Sequence, residues 1–132
     1  MKIDHIGYAV KKIEKAVLEF QNLGYVFEDT IQDDDRNIFI AFGMKDGYRI
    51  ELIAPINKEG SPVDVCLSKN GPTPYHICYK SDSFEEDIKR LEKNGYKVVI
   101  EEMPAIALGG AKVCFLYNSQ IGLVEIVEIK CG

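Results

Sequence analysis

The sequence predicts an α+β fold made of two βαβββ units in tandem, and two observations carry that expectation. The chain repeats itself, and within each repeat the apolar spacing runs from strand period to helix period and back. The two histidines, His5 and His76, sit in near-copies of one phrase, His5-Ile6-Gly7-Tyr8 and His76-Ile77-Cys78-Tyr79. At the same offset of 71, Glu14 falls on Glu85, Gly24 on Gly95 and Tyr25 on Tyr96, while Ile13, Val17 and Phe20 fall on Phe84, Ile88 and Leu91. Phe42 meets Phe115 at an offset of 73, and Ile50-Glu51-Leu52-Ile53 meets Val124-Glu125-Ile126-Val127 at 74. About three residues therefore enter the second copy between its early and late landmarks.

Residues 3–10 read as a strand, after which Ile13, Ala16, Val17, Phe20 and Leu23 recur at helical spacing until Gly24, a residue suited to a left-handed helix end. In the second copy Ser83 and Glu86 suggest a capping box, and Phe84, Ile88 and Leu91 mark a helix face that stops at Gly95. Three extended segments follow each helix, at 25–31, 37–43 and 47–54, and again at 96–102, 111–117 and 122–129. Asp46-Gly47 suits a tight hairpin turn between the last two segments of the first copy. Ser61-Pro62 looks like a cap and first helical turn, so a short linker helix is expected at 62–69. The run Asp33-Asp34-Asp35 is expected at a solvated loop tip.

The 132 residues are enough for a real core, whereas a repeat of about 60 would be marginal alone. A single domain is expected, with module one at 1–54, a linker at 55–74 and module two at 75–132. The formal charge of −5 and the lack of a basic cluster argue against nucleic acid as a partner. No apolar run approaches the roughly 20 residues of a membrane helix, and the opening Met1-Lys2-Ile3-Asp4-His5 lacks a signal core, so the chain reads as cytoplasmic, with no membrane partner. Cysteines 66, 78, 114 and 131 show no Cys-x-x-Cys spacing, and Cys78 and Cys114 fall in strand-like segments, which favours small buried thiols.

Strand parity singles out four residues. Side chains alternate between faces, so Arg49, Glu51 and Ile53 share one face of their segment, and Ile50 and Leu52 share the other, under the helix. By the same count Glu125 faces away from Val124 and Ile126, and His5 away from Ile6 and Tyr8. Glu51 and Glu125 then stand mid-strand in apolar runs, where an uncompensated carboxylate costs several kcal/mol. Two imidazoles and two carboxylates about one point suit a borderline divalent cation, which makes His5, Glu51, His76 and Glu125 candidate metal ligands. The competing reading is a degenerate repeat whose carboxylates pair with Arg49, Lys80 or Lys112.

These segments resemble the vicinal oxygen chelate superfamily of glyoxalases, bleomycin-resistance proteins and dioxygenases. The resemblance rests on Asp4-His5-Ile6-Gly7-Tyr8-Ala9-Val10, Tyr48-Arg49-Ile50-Glu51-Leu52-Ile53-Ala54-Pro55, Ser61-Pro62, Tyr75-His76-Ile77, and Lys112 to Leu116 through Gly122 to Glu128. It implies an open β-cup around one divalent metal (Ni, Co or Zn), held by the first and fourth strands of each module, which carry His5, Glu51, His76 and Glu125. It also implies a homodimer, since paired copies usually cover the strand edges and apolar rim of such a cup.

The His/Glu/His/Glu set resembles glyoxalase I, so the activity expected first is that of a lactoylglutathione lyase-like enzyme moving a proton through an enediolate. Methylmalonyl-CoA epimerase-like chemistry is the alternative, and a metal-free binding or resistance protein a further one. The expected substrate is a small thiol hemithioacetal or an acyl-thioester. In either enzyme Glu125 is the expected principal base, Glu51 its partner for the other face, and Arg49 the residue that meets an anionic part of the substrate. Epimerases also place an acid in the loop before the third strand, where Asp34 or Asp35 falls. The stretch between Phe115 and Glu125 is shorter than the usual coenzyme A-binding hairpin of epimerases, and beyond Arg49 no glutathione clamp is visible. An extradiol dioxygenase would need two His and one carboxylate on iron with open positions, which a fourth protein ligand argues against.

Overall fold

The repeat in the sequence becomes a repeat of topology in the computed structural model, which describes residues 1–130. Cys131 and Gly132, the end of the expected second module, lie outside the described residues. The chain forms two compact units, residues 5–75 and residues 1–4 together with those from His76 onward. The fold class is α+β, with a mixed sheet and one sheet-packed helix in each unit.

In the unit of residues 5–75, β1 (Lys2–Ala9, its first residues counted with the other unit) leads into α1 (Ile13–Asn22), β2 (Val26–Phe27), β3 (Ile31–Asp33), β4 (Ile38–Lys45), β5 (Tyr48–Pro55) and α2 (Asp64–Asn70). β1 lies parallel to β5, β5 antiparallel to β4, and both β2 and β3 pair antiparallel with β4. The single extended segment expected at 25–31 is thus two short strands. Phe27 opposes Gly43 and Ile31 opposes Ile40, so residues 28–30 face only two residues of β4, and one extra residue bulges out.

The other unit repeats the order with β6 (Thr73–Ser81), α3 (Phe84–Lys93), β7 (Lys97–Ala105), a 3₁₀ turn (Ile106–Leu108), β8 (Ala111–Asn118) and β9 (Gly122–Glu128). β6 is parallel to β9, and β9, β8 and β7 follow antiparallel. The hairpins explain the last step in the repeat offset. Asp46-Gly47 makes a two-residue loop with both φ values positive, 53° and 83°, as a type I′ turn requires, whereas three residues separate Asn118 from its partner Gly122.

Both sheet-packed helices end alike. Gly24 (φ 102°) donates to Gln21 O at 2.9 Å while Tyr25 N donates to Phe20 O at 3.1 Å, and Gly95 (φ 93°) with Tyr96 repeats these bonds to Glu92 and Leu91 at 3.2 and 3.0 Å. These are Schellman ends, satisfying carbonyls that the last turn leaves open. The first unit buries Ile13, with Ala16, Val17 and Phe20 beside it, against Ala41, Ile50, Leu52 and Ala54. The second buries Phe84 and Leu91, with Ile88 beside them, against Cys114, Leu116, Val124 and Ile126. Tyr8 packs in the first of these cores, so the alternation along β1 turns His5 and Gly7 away from the helix.

The helix starts differ from expectation. Ser83 does not cap α3 with its side chain; the buried Ser81 hydroxyl accepts the Ser83 N–H at 3.0 Å and donates to Asp87 Oδ2 at 2.5 Å. That hydroxyl, more than Arg90, holds the Asp87 carboxyl below its ordinary range. The linker helix begins two residues later than expected, behind a reciprocal box in which Ser61 Oγ accepts the Val63 N–H at 3.3 Å and Asp64 Oδ2 accepts the Ser61 N–H at 3.0 Å. No helix among the described residues is long and apolar enough to cross a membrane.

Candidate metal centre

Cross-strand register brings a histidine and a glutamate together within each unit. Glu51 on β5 stands opposite Gly7 of β1 and Phe42 of β4; Glu125 on β9 stands opposite Cys78 of β6 and Phe115 of β8. In each case the glutamate faces the residue two places after the histidine, and residues two apart share a strand face. His5 Nε2 lies 3.2 Å from Glu51 Oε1, and His76 Nε2 lies 3.1 Å from Glu125 Oε1. His5, Glu51, His76 and Glu125 are 1, 6, 4 and 5% exposed.

The rings of the two phenylalanines complete each group. His5 meets Phe42 edge-on at 5.5 Å between centroids, and His76 meets Phe115 edge-on at 5.3 Å. The sequence aligned these two residues but gave them no role, because their contact with the histidine depends on register across three strands.

All four residues offer a ligating atom, an imidazole nitrogen or a carboxylate oxygen. Such a donor set suits a borderline divalent cation, whose charge offsets the cost of burying carboxylates. Lys112 Nζ lies 4.0 Å from Glu102, and the Arg49 guanidinium lies over the Phe42 ring, 4.0 Å from its centroid. Arg49 pairs across the strands with Met44, so it shares the sheet face of Phe42 and Glu51, as parity predicted.

One residue of the acidic run, Asp33, departs from its expected place at a solvated loop tip. Asp33 is the last residue of β3, opposite Ile38, and is only 5% exposed. Alternation along β4 puts Ile38, Ile40 and Phe42 on one side, so Asp33 is on the same face as Glu51. The Arg36 N–H and guanidinium reach it at 3.2 and 3.3 Å. Asp34 and Asp35 are exposed in the turn that follows. Three consecutive aspartates look alike in a sequence; the pairing of β3 with β4 selects the inward one.

Cys78 and Cys114 are buried, as expected. Burial, with Glu101, Glu102 and Glu92 adding to it, pushes the Cys114 thiol up to about 11, so it stays protonated and donates toward Ile100 O at 3.5 Å. Cys66 lies half-buried in α2.

Residues 4–115 match the family model of the Glyoxalase/Bleomycin resistance protein/Dioxygenase superfamily. The chain belongs to this superfamily. Three solved structures of its members or likenesses bear on the function. Hypothetical protein BH1468 of Bacillus halodurans is 30% identical with a TM-score of 0.85, covering 99% of this chain and 96% of that one. Methylmalonyl-CoA epimerase of Mycobacterium tuberculosis is 25% identical with a TM-score of 0.84, covering 99% of this chain and 89% of the enzyme. A variant of the Streptomyces coelicolor methylmalonyl-CoA epimerase, in complex with 2-nitronate-propionyl-CoA, is 26% identical with a TM-score of 0.79, covering 99% of each chain. No curated protein matches. The two named enzymes are epimerases, so within the superfamily these likenesses side with the alternative expectation rather than with a glyoxalase I-type lyase.

Proposed function

We propose that this superfamily member catalyses proton transfer at the carbon next to the carbonyl of an acyl-thioester, as a methylmalonyl-CoA epimerase-like enzyme, with one divalent ion held jointly by His5, Glu51, His76 and Glu125. The observation that carries the reading is the matched pair of buried His/Glu groups, 3.2 and 3.1 Å, in a chain similar to epimerases of that kind. A divalent ion so held would supply Lewis acidity for the oxyanion charge that develops on the carbonyl.

The chain's own part is to move protons and exclude water. Inversion at C2 requires one group to take the proton and another to return one on the other face. Glu125 is assigned the first role: its carboxylate accepts the C2 proton, and the C–H electron pair moves into the carbonyl as an enolate. Glu51 then delivers a proton to C2 on the other face: the enolate C=C electron pair forms the new C–H bond while an oxygen lone pair restores the carbonyl, and proton exchange with solvent resets both carboxyls. Both carboxylates are buried, with Phe42 the cross-strand neighbour of Glu51 and Phe115 that of Glu125, so little water competes for the transferred proton. Arg49, on the face of Glu51, meets the anionic part of the substrate.

The test is solvent-deuterium exchange by the metal-loaded protein, run in parallel on methylmalonyl-CoA and on the hemithioacetal of methylglyoxal. Exchange into methylmalonyl-CoA with inversion supports the reading. Turnover of the hemithioacetal alone would return the assignment to the glyoxalase branch, and tight binding with no exchange would mark a binding protein.

A further inference from the structure

The two units differ most sharply on their helix sides, away from the histidines. At the offset of 71, Val10 falls on Ser81, Ala16 on Asp87 and Glu19 on Arg90. In the second unit these three positions form one polar network: the Ser81 hydroxyl donates to Asp87 Oδ2 at 2.5 Å, and the Arg90 guanidinium donates to Asp87 Oδ1 at 3.2 Å. Valine, alanine and glutamate in the first unit cannot make those bonds. A cavity of about 430 Å³ lies there instead, beside the end of β1 and the start of α1, with Tyr8, Val10, Ala16, Phe20 and Pro72 among its walls. That volume is within the range of small-molecule sites. Tyr8 packs in the core beneath α1, on the face of β1 opposite His5, so the cavity shares no strand face with the candidate metal ligand of its own unit.

Charge around the cavity is reversed as well. Lys11, Lys12 and Lys15 line it, where the second unit has Asp82, Ser83 and Glu86. All three lysines are exposed, and none of them is in an ion pair among the described residues. Glu19 is the only acid among the described lining residues, so the rim keeps a net positive charge in a chain whose formal charge is −5. Lysine stems lie readily along an apolar wall while their ammonium groups stay in water. An apolar floor under such a rim suits a molecule with an apolar body and one anionic end. A polyphosphate would leave the floor uncovered, and a neutral hydrocarbon would leave the cations without a partner.

We propose that this cavity binds an amphiphilic organic anion of the class of a medium-chain carboxylate. The inference is independent of the acyl-thioester reading, since it uses none of the groups assigned to proton transfer.

The probe is octanoate, followed by calorimetry on the full chain, with 1-octanol as its uncharged counterpart. Wild type should bind octanoate about tenfold more tightly than 1-octanol, the scale of two or three exposed charge pairs, and the difference should shrink as salt is raised. Lys11→Asp combined with Lys15→Glu gives the rim the charges of the second unit and should abolish the preference for the anion. Ala16→Leu fills the cavity and should weaken both probes together, with thermal melting to show that the variant folds. Should it not fold, the lysine variant, changed only at exposed positions, decides alone. No octanoate binding by wild type, equal binding of the two probes, or an anion preference unchanged in the lysine variant overturns the proposal. A particle mass that halves as octanoate is added also overturns it, because a second copy would then be the occupant.

Discussion

Phe42 and Phe115 hold the same place in the two units: each ring meets its unit's histidine edge-on, at 5.5 and 5.3 Å, and each is the cross-strand neighbour of that unit's glutamate. An aromatic edge against an imidazole restricts the rotation that a metal ligand must not have. Replacing either phenylalanine by leucine keeps an apolar side chain but removes the ring, so metal affinity should fall about tenfold, the low end of what outer neighbours of metal ligands contribute. Competition with a chromophoric chelator reads this directly, and Phe42→Tyr or Phe115→Tyr, which keep the ring, should stay near wild type. Unchanged affinity in both leucine variants would show the rings to be packing alone.

The two glutamates should separate when each is changed in turn. Glu125→Gln retains an oxygen donor and loses the base, so exchange should fall by at least about 10²-fold while some metal remains bound. Glu51→Gln should slow inversion more than exchange, because it removes the acid that completes epimerisation. If Glu125→Gln stays active while Glu51→Gln abolishes exchange, the two carboxylates have the opposite roles.

Ser81 links the end of β6 to α3 through Asp87. The carboxyl of Asp87 is held below its ordinary value of 3.8, first by the Ser81 hydroxyl, so the stabilisation is complete above that value and is lost as pH falls through the lower folded value. Ser81→Ala should therefore cost about 1 kcal/mol at neutral pH, the usual net worth of a hydrogen bond, and progressively less as the solution is acidified below about pH 4. Thermal melts across that range check it; a cost independent of pH would place the effect elsewhere.

Ile6 and Ile77, equivalent in the repeat, are 41 and 37% exposed on strands whose other face carries the histidines. With Leu18 and Leu23 also exposed, apolar area is left that a second copy would cover. Light scattering should give about twice the chain mass of 14.9 kDa, and Ile6→Asp together with Ile77→Asp should give the single chain. A wild-type monomer at micromolar concentration contradicts this expectation.

Much of the fold was legible because it is written twice. Helix ends at Gly24 and Gly95, the turn at Asp46-Gly47, and the faces of Glu51 and Glu125 all follow from local rules of φ, period and parity, which neighbouring residues encode. What sequence left out depends on partners distant along the chain. The bulge that splits 25–31 is a mismatch of count against β4; the inward turn of Asp33 is set by its pairing with Ile38; and the choice of Ser81 over Ser83 depends on the position of Asp87 one turn into α3. The four candidate ligands were singled out by the repeat and by strand alternation, but the phenylalanines against the two histidines were not, since a contact between β1 and β4 runs across β5.

If the two His/Glu pairs serve one ion, as proposed, metal stoichiometry will show it. Wild type purified without chelator should carry one divalent ion per chain by elemental analysis, and His5→Ala and His76→Ala, each damaging only one pair, should each lose it. Two ions per chain, or one ion retained at full occupancy in either variant, would contradict the account.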